Sequence, residues 1–174
     1  MARLGIFGAN GRVGKTILQE ASSFENLELG VAFSKAHFES NIEGLLVTNS
    51  IDEFVKKSDI IIDFSSPQGT LSLLEKALEY APKRLVIGTT GLNEHTQNLI
   101  KEASKNASVF YASNMSLGIA VLQKIVYEAS KALADFDIEI VEMHHRHKKD
   151  APSGTALNLA EIAATARGLD LDEV

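Results

Sequence analysis

Between residues 4 and 112, short and nearly continuous apolar runs alternate with longer segments in which apolar residues recur every three or four positions. The runs at residues 4–8, 27–33, 59–64, 84–88 and 108–112 each contain β-branched side chains, most densely at 59–64 and 84–88. A strand with one wet face would alternate polar and apolar positions, so unbroken runs predict strands buried on both faces. The periodic segments 13–23, 67–80 and 93–105 predict helices, the second with Ser66 as its cap and Pro67 at its first position. A shorter helix is expected at 52–57. Strand, helix and strand repeated with short connections predict an α/β fold: an open parallel sheet with helices on both faces and ligands at the C-terminal ends of the strands.

The pattern changes after residue 115. A longer helical period covers 116–134, followed by the strand-like FDIEIVEMHH, the polar turn RHKKDAPSG and a last helix at 154–167. One strand and one helix cannot bury their own apolar faces. The expectation is a first domain at 1–115 and the start of a second, α+β domain at 116–174. No repeat, low-complexity tract or flexible linker interrupts the chain.

Composition narrows the classes. With 174 residues, 45% hydrophobic and 23% charged, the chain can build one ordinary core and begin another. A formal net charge of -6 argues against nucleic-acid binding driven by overall charge. The absence of cysteine excludes disulfides, thiolate metal sites and thiol nucleophiles, and fits a reducing compartment. No apolar stretch approaches the roughly 18 residues of a membrane span, so a cytoplasmic protein without a membrane partner is expected.

The first candidate chemistry lies in GANGRVGKT, residues 8–16. Its end, Gly14-Lys15-Thr16, resembles the close of a P-loop, but that loop needs four residues between its first glycine and the Gly-Lys pair. Ala9 occupies the required position, and starting from Gly8 leaves one residue too many. Gly8, Gly11 and Gly14 instead follow a strand and open a helix, the context of a dinucleotide loop. Gly8 permits the turn, Gly11 admits the pyrophosphate to the backbone, and Gly14 lets the helix pack close to the strand. The helix N-terminus supplies amides and positive potential. An NAD-selective site places a carboxylate at the end of the second strand. Here that end reads Phe33-Ser34-Lys35, and Ser34, Lys35 and Arg12 could contact a 2′-phosphate, so NADPH is expected to bind at least as well as NADH.

The second candidate is His144-His145-Arg146-His147-Lys148-Lys149-Asp150, which holds three of the five histidines. A histidine exchanges protons near neutral pH, and cationic neighbours attract an anionic substrate. Ser153 can cap the last helix, leaving the amides of Gly154 and Thr155 to receive a carboxylate. Adjacent cations repel a metal and well-placed carboxylates are few, so no metal site is expected. On a regular strand His144 and His145 would face opposite ways, so both serve one pocket only if the strand ends there.

The stretches GANGRVG, IIDFSSPQGT, VIGTTG, ASNMSLG and EMHHRHKKDAPSGTA together resemble the dihydrodipicolinate reductases, from residue 8 to residue 156. The resemblance implies a Rossmann-like cofactor domain, NADPH or NADH as cofactor, and reduction of a cyclic dicarboxylate to tetrahydrodipicolinate in lysine and diaminopimelate biosynthesis. It implies that Gly8, Ala9, Asn10, Gly11, Arg12 and Val13 cradle the pyrophosphate. Gly88, Thr89 and Thr90, with Ala112, Ser113, Asn114 and Met115, would line the nicotinamide side. His144 would be the proton donor or acceptor and Lys148 a second donor, with His145, Gly154 and Thr155 binding substrate carboxylates. Many relatives carry an acidic residue followed by arginine where Ser34 and Lys35 stand. Relatives also continue past Val174 with strands that complete the substrate domain and build a homotetramer. The chain is therefore expected to be a reductase lacking its C-terminal part. The alternatives are a catalytically silent dinucleotide-binding module and, on Gly14-Lys15-Thr16 alone, an NTPase.

Overall fold

The computed structural model describes residues 1–21, 23–36, 40–146, 148 and 151–173. The chain divides into two compact units, Met1–Ser113 and a second from Asn114 onward.

The first unit runs β1 (Ala2–Phe7), α1 (Arg12–Ala21), β2 (Leu27–Phe33), β3 (Leu46–Thr48), α2 (Ile51–Lys57), β4 (Ile60–Asp63), α3 (Pro67–Ala77), β5 (Arg84–Ile87), α4 (Glu94–Ser104) and β6 (Val109–Tyr111). The strands form one sheet in the order β3-β2-β1-β4-β5-β6, every pair parallel. The direction of strand addition reverses between β1 and β4, which opens a crevice at their C-terminal ends. The short edge strand β3 is absent from the sequence reading because three residues are too few to show a period.

Both faces of the sheet are covered at its centre, as the unbroken apolar runs require, but the run at 108–112 is not buried as expected: it forms the edge strand β6, where Phe110 is 58% and Tyr111 37% exposed. Leu4, Ile6 and Ala32 pack with Leu18 and Ala21 of α1. The larger core gathers Phe7, Val31, Phe33, Ile61 and Ile87 with Phe54 of α2, Leu73 and Leu74 of α3, and Ile100 of α4. Phe7 and Phe33 stack at 4.3 Å between ring centroids, and Phe54 meets both rings at a tilt. A Cβ on Gly5 would overlap Ser58 Oγ and stand 2.9 Å from the Phe54 ring, so α2 lies directly on β1. Leu4 pairs with Leu29 but Gly5 with Val31, leaving Gly30 as the extra residue of a β-bulge. Ser50, Ser66 and Asn93 cap α2, α3 and α4 through their side chains, as small polar residues at these positions do.

The second unit pairs α5 (Leu117–Ala132) with α6 (Gly154–Ala166), followed by a short turn of 3-10 helix, Leu171–Glu173. Gln123 of α5 hydrogen-bonds Asn158 of α6. Arg167 donates to the carbonyls of Ser130, Leu133 and Phe136, joining the end of α6 to the last turn of α5 and the residues that follow it. The strand expected at 136–145 is not formed: these residues adopt no regular secondary structure. A strand exists through its ladder, and no described strand pairs with this segment. Its apolar side chains stay in solvent, with Val141 83% and Met143 91% exposed. Among the described residues no helix is long and apolar enough to cross a membrane.

Candidate functional site

In the first unit the turn from β1 to α1 sits at the mouth of the β1–β4 crevice. Gly8 has φ +83°, a conformation that side chains resist, and its carbonyl accepts the Gly11 amide at 2.9 Å. A Cβ on Gly14 would overlap Gly8 O and stand 2.8 Å from Ala9 Cα, so α1 touches the turn's backbone. Ala9 is fully buried beneath it, with its amide on Phe33 O. Arg12 and Val13 begin α1 and are exposed; Lys15 and Thr16 follow on the helix surface, where the Thr16 hydroxyl donates to Arg12 O. The two residues that suggested a P-loop are thus ordinary helix residues.

A cavity of about 360 Å³ lies against this turn. Gly8, Asn10 and Gly11 form one side, Ser34, Lys35 and Ala36 another, and Phe64, Ser65, Ser66 and Gly69 the wall from β4 to α3. Lys35 is exposed, whereas Ser34 is buried and donates its hydroxyl to Ala36 O at 2.9 Å, which shapes the loop after β2. Residues 37–39 lie outside the described residues. The β4–α3 wall was not among the sequence candidates; its signal was Ser66-Pro67, a helix start placed beside the crevice.

That wall is tied to the predicted nicotinamide side. Ser65 N donates to Asp63 Oδ1 and to Thr89 Oγ1, both at 3.0 Å, and Thr70 donates its hydroxyl to Asp63 Oδ2. Gly88 N donates to Asp63 O at 2.9 Å, and a Cβ on Gly88 would overlap the Phe64 ring. Thr89 is buried and Thr90 exposed. Ala112, half-buried, and Ser113, exposed, follow β6, with Ala112 N on Ile87 O. Asp63 is fully buried, and burial pushes its carboxyl above the usual carboxylate range against the pull of the Ser65 and Thr70 hydrogen bonds. The folded state then holds this proton more tightly than the unfolded chain does. Stability from this group is present at low pH and falls as pH rises through the raised value. Urea unfolding across that range should show the wild-type advantage over Asp63→Asn shrinking with increasing pH. A growing advantage would mean that the hydrogen bonds outweigh burial.

In the second unit Ser153 caps α6, its hydroxyl accepting from Ala156 N at 3.1 Å. Gly154 is exposed and a Cβ there would meet nothing within 4 Å, which leaves room beside the N-terminus of α6. Asn114 ties two predicted groups together: its amide donates to Thr155 Oγ1 at 3.3 Å while its Oδ1 accepts from Ser116 N, at the start of α5. Met115 beside it is exposed. His144 and His145 are exposed and Lys148 half-buried, with Lys148 N on His145 O closing a turn. His147, Lys149 and Asp150 lie outside the described residues. His144 Nδ1 stands 2.9 Å from Glu142 Oε2, and Glu142 Oε1 accepts from Ser153 N at 2.6 Å. Glu142 was not a sequence candidate, although its spacing of two from His144 in a strand-like run was a signal for a shared face. Among the described residues no group of three or more potential ligands is placed to hold a metal ion.

Sheet order, glycine turn and crevice define an α/β unit of the dinucleotide-binding class. Residues 2–115 match the profile of "Dihydrodipicolinate reductase, N-terminus", and residues 118–173 that of "Dihydrodipicolinate reductase, C-terminus". The chain belongs to the dihydrodipicolinate reductase family. It is 57% identical to a 4-hydroxy-tetrahydrodipicolinate reductase of Wolinella succinogenes and 53% identical to one of Sulfurimonas denitrificans, in each case over 100% of this chain and 68% of the relative. A solved dipicolinate-bound dihydrodipicolinate reductase from Paenisporosarcina sp. TG-14 superposes with a TM-score of 0.77 at 28% identity, covering 96% of this chain and 67% of that one. The reading as a catalytically silent module finds no support in these relatives.

Proposed function

We propose that the protein catalyses NAD(P)H-dependent reduction of 4-hydroxy-tetrahydrodipicolinate, by way of the dihydrodipicolinate that it forms on losing water, to tetrahydrodipicolinate in lysine and diaminopimelate biosynthesis. One observation carries the reading beyond the family: Glu142 bonds the start of α6 and meets His144, so a proton-exchanging group and an anion-binding helix end share one frame.

The β1–α1 turn fits a dinucleotide, since Gly8 and Gly11 keep side chains out of the cradle and the N-terminus of α1 directs amides toward it. Gly8 to Val13 would hold the pyrophosphate, and Gly88 to Thr90 with Ala112 to Met115 would hold the nicotinamide. The cofactor supplies a hydride when bound. Adding hydride to one end of a conjugated double bond leaves an electron pair at the other end, and a proton must arrive there. His144 delivers that proton from an imidazolium, with Lys148 as the second donor. The amides of Gly154 and Thr155, together with His145, hold the substrate carboxylates, so the dicarboxylate is fixed at its charged ends while its ring reacts. Domain roles follow: 1–115 binds cofactor and 116–174 contributes to substrate binding and assembly. Assembly into a homotetramer and a cytoplasmic location, both implied by the family likeness, belong to the same reading.

The deciding assay follows NADPH oxidation with freshly generated dihydrodipicolinate; absence of substrate-dependent turnover would sink the proposal. Cofactor choice is tested separately. Lys35→Glu puts a negative charge where a 2′-phosphate would meet a positive one, so the Kd for NADPH should rise by about tenfold or more while that for NADH changes little. Equal loss for both cofactors would remove Lys35 from the phosphate site.

A further inference from the structure

Glu142 joins His144 to the start of α6, and the chemistry of that join sets the state of the histidine. Glu142 Oε1 accepts the Ser153 amide at 2.6 Å, while Oε2 stands 2.9 Å from His144 Nδ1. Oε2 is shut off from solvent and has no hydrogen-bond partner among the described residues, its approach to His144 Nδ1 being a close contact rather than an aligned hydrogen bond. A carboxylate oxygen without water is costly unless a donor faces it. Two atoms presenting lone pairs at this distance repel, whereas a proton on Nδ1 makes the contact attractive. A neutral imidazole carries one ring proton, so placing it on Nδ1 leaves Nε2 as the nitrogen that exchanges protons. Hydrogen bonding from Ser153, with attraction from His144 and Lys148, holds the Glu142 carboxyl below the usual carboxylate range and keeps it an acceptor.

We propose that Glu142 is a positioning residue for the reaction: it fixes His144 in the Nδ1–H tautomer, leaves Nε2 to exchange the proton with substrate, and locks that ring to the anion-binding end of α6. The proposal rests on the reading of His144 as proton donor. An imidazolium that gives up its Nε2 proton becomes the neutral Nδ1–H form, which is the form Glu142 stabilises. The ring therefore neither turns nor changes partner during transfer.

Glu142→Gln separates this role from a merely structural one. The glutamine oxygen can still accept the Ser153 amide, but its NH2 group then faces Nδ1 and favours the opposite tautomer. With ¹⁵N-labelled histidine and His144→Gln to assign the signal, two-dimensional spectra should show His144 as Nδ1–H in the wild type and as Nε2–H in Glu142→Gln. The kcat of Glu142→Gln should fall by about 100-fold or more, as a wrong-tautomer histidine causes in other enzymes. Substrate KM should stay within about threefold, because the anion-binding amides keep their frame. Glu142→Asp, which retains the carboxylate, should recover part of the loss. An unchanged tautomer in Glu142→Gln, or a loss confined to KM and thermal stability, overturns the proposal. If His144→Gln itself keeps full turnover, the proton-donor reading fails instead, and a tautomer flip in Glu142→Gln would still establish the orientation.

Discussion

Replacing His144 by glutamine lowers kcat by about 10²- to 10⁴-fold, the range a positioned proton donor contributes, and leaves substrate KM within a few-fold. The side chain is 41% exposed and its replacement opens no cavity in either core, so the melting temperature falls by no more than the lost contact with Glu142 Oε2 is worth, a few degrees at most. NADPH affinity is also preserved, because the β1–α1 turn is built wholly from the first unit. Steady-state kinetics together with a thermal melt checks all three statements. A kcat close to wild type would pass the proton role to Lys148, and a matching loss in Lys148→Met would then identify it.

The largest effect on stability is expected at Gly14. In Gly14→Ala the new Cβ meets backbone atoms, Gly8 O and Ala9 Cα, and neither can rotate away. Helix α1 must move off β1, taking its N-terminal amides with it. Overpacking of this kind costs about 1–3 kcal/mol. For a chain of this size that corresponds to a melting temperature lower by roughly 2–12 °C. NADPH affinity should fall by about tenfold or more, since the amides that face the phosphates shift with the helix. Lys15→Ala is the control: Lys15 is exposed on α1, and its loss should change stability by less than about 0.5 kcal/mol and leave cofactor affinity alone. If Lys15→Ala were the more damaging for nucleotide binding, the P-loop reading would return.

Much of the first unit was legible because a strand buried on both faces leaves an unbroken apolar run, as in Ile60–Asp63, and because Ser66-Pro67 and Asn93 mark helix starts. Three features escaped for different reasons. Strand β3 is too short to carry a period. The segment 136–145 has the composition of a strand, but composition supplies only one side of a ladder, and backbone groups pair only when another strand is beside them. Glu142 looked like one more polar position in an alternating run; its meaning comes from Ser153, eleven residues on, whose amide it accepts. The cluster His144 to Thr155 stood out as chemistry from residue types alone. The hydrogen bonds that orient it depend on how residues distant in the sequence meet.

The contact between Phe64 and Gly88 couples change at the two positions over evolutionary time. Any side chain at position 88 would overlap the Phe64 ring as it lies, so the two positions are not independent. A larger residue at 88 is accommodated only if the Phe64 ring turns aside or is itself replaced by something smaller. Either change alters the wall of the dinucleotide cavity, since Phe64 lines it. Substitutions at 88 are therefore expected to be accompanied by change at 64.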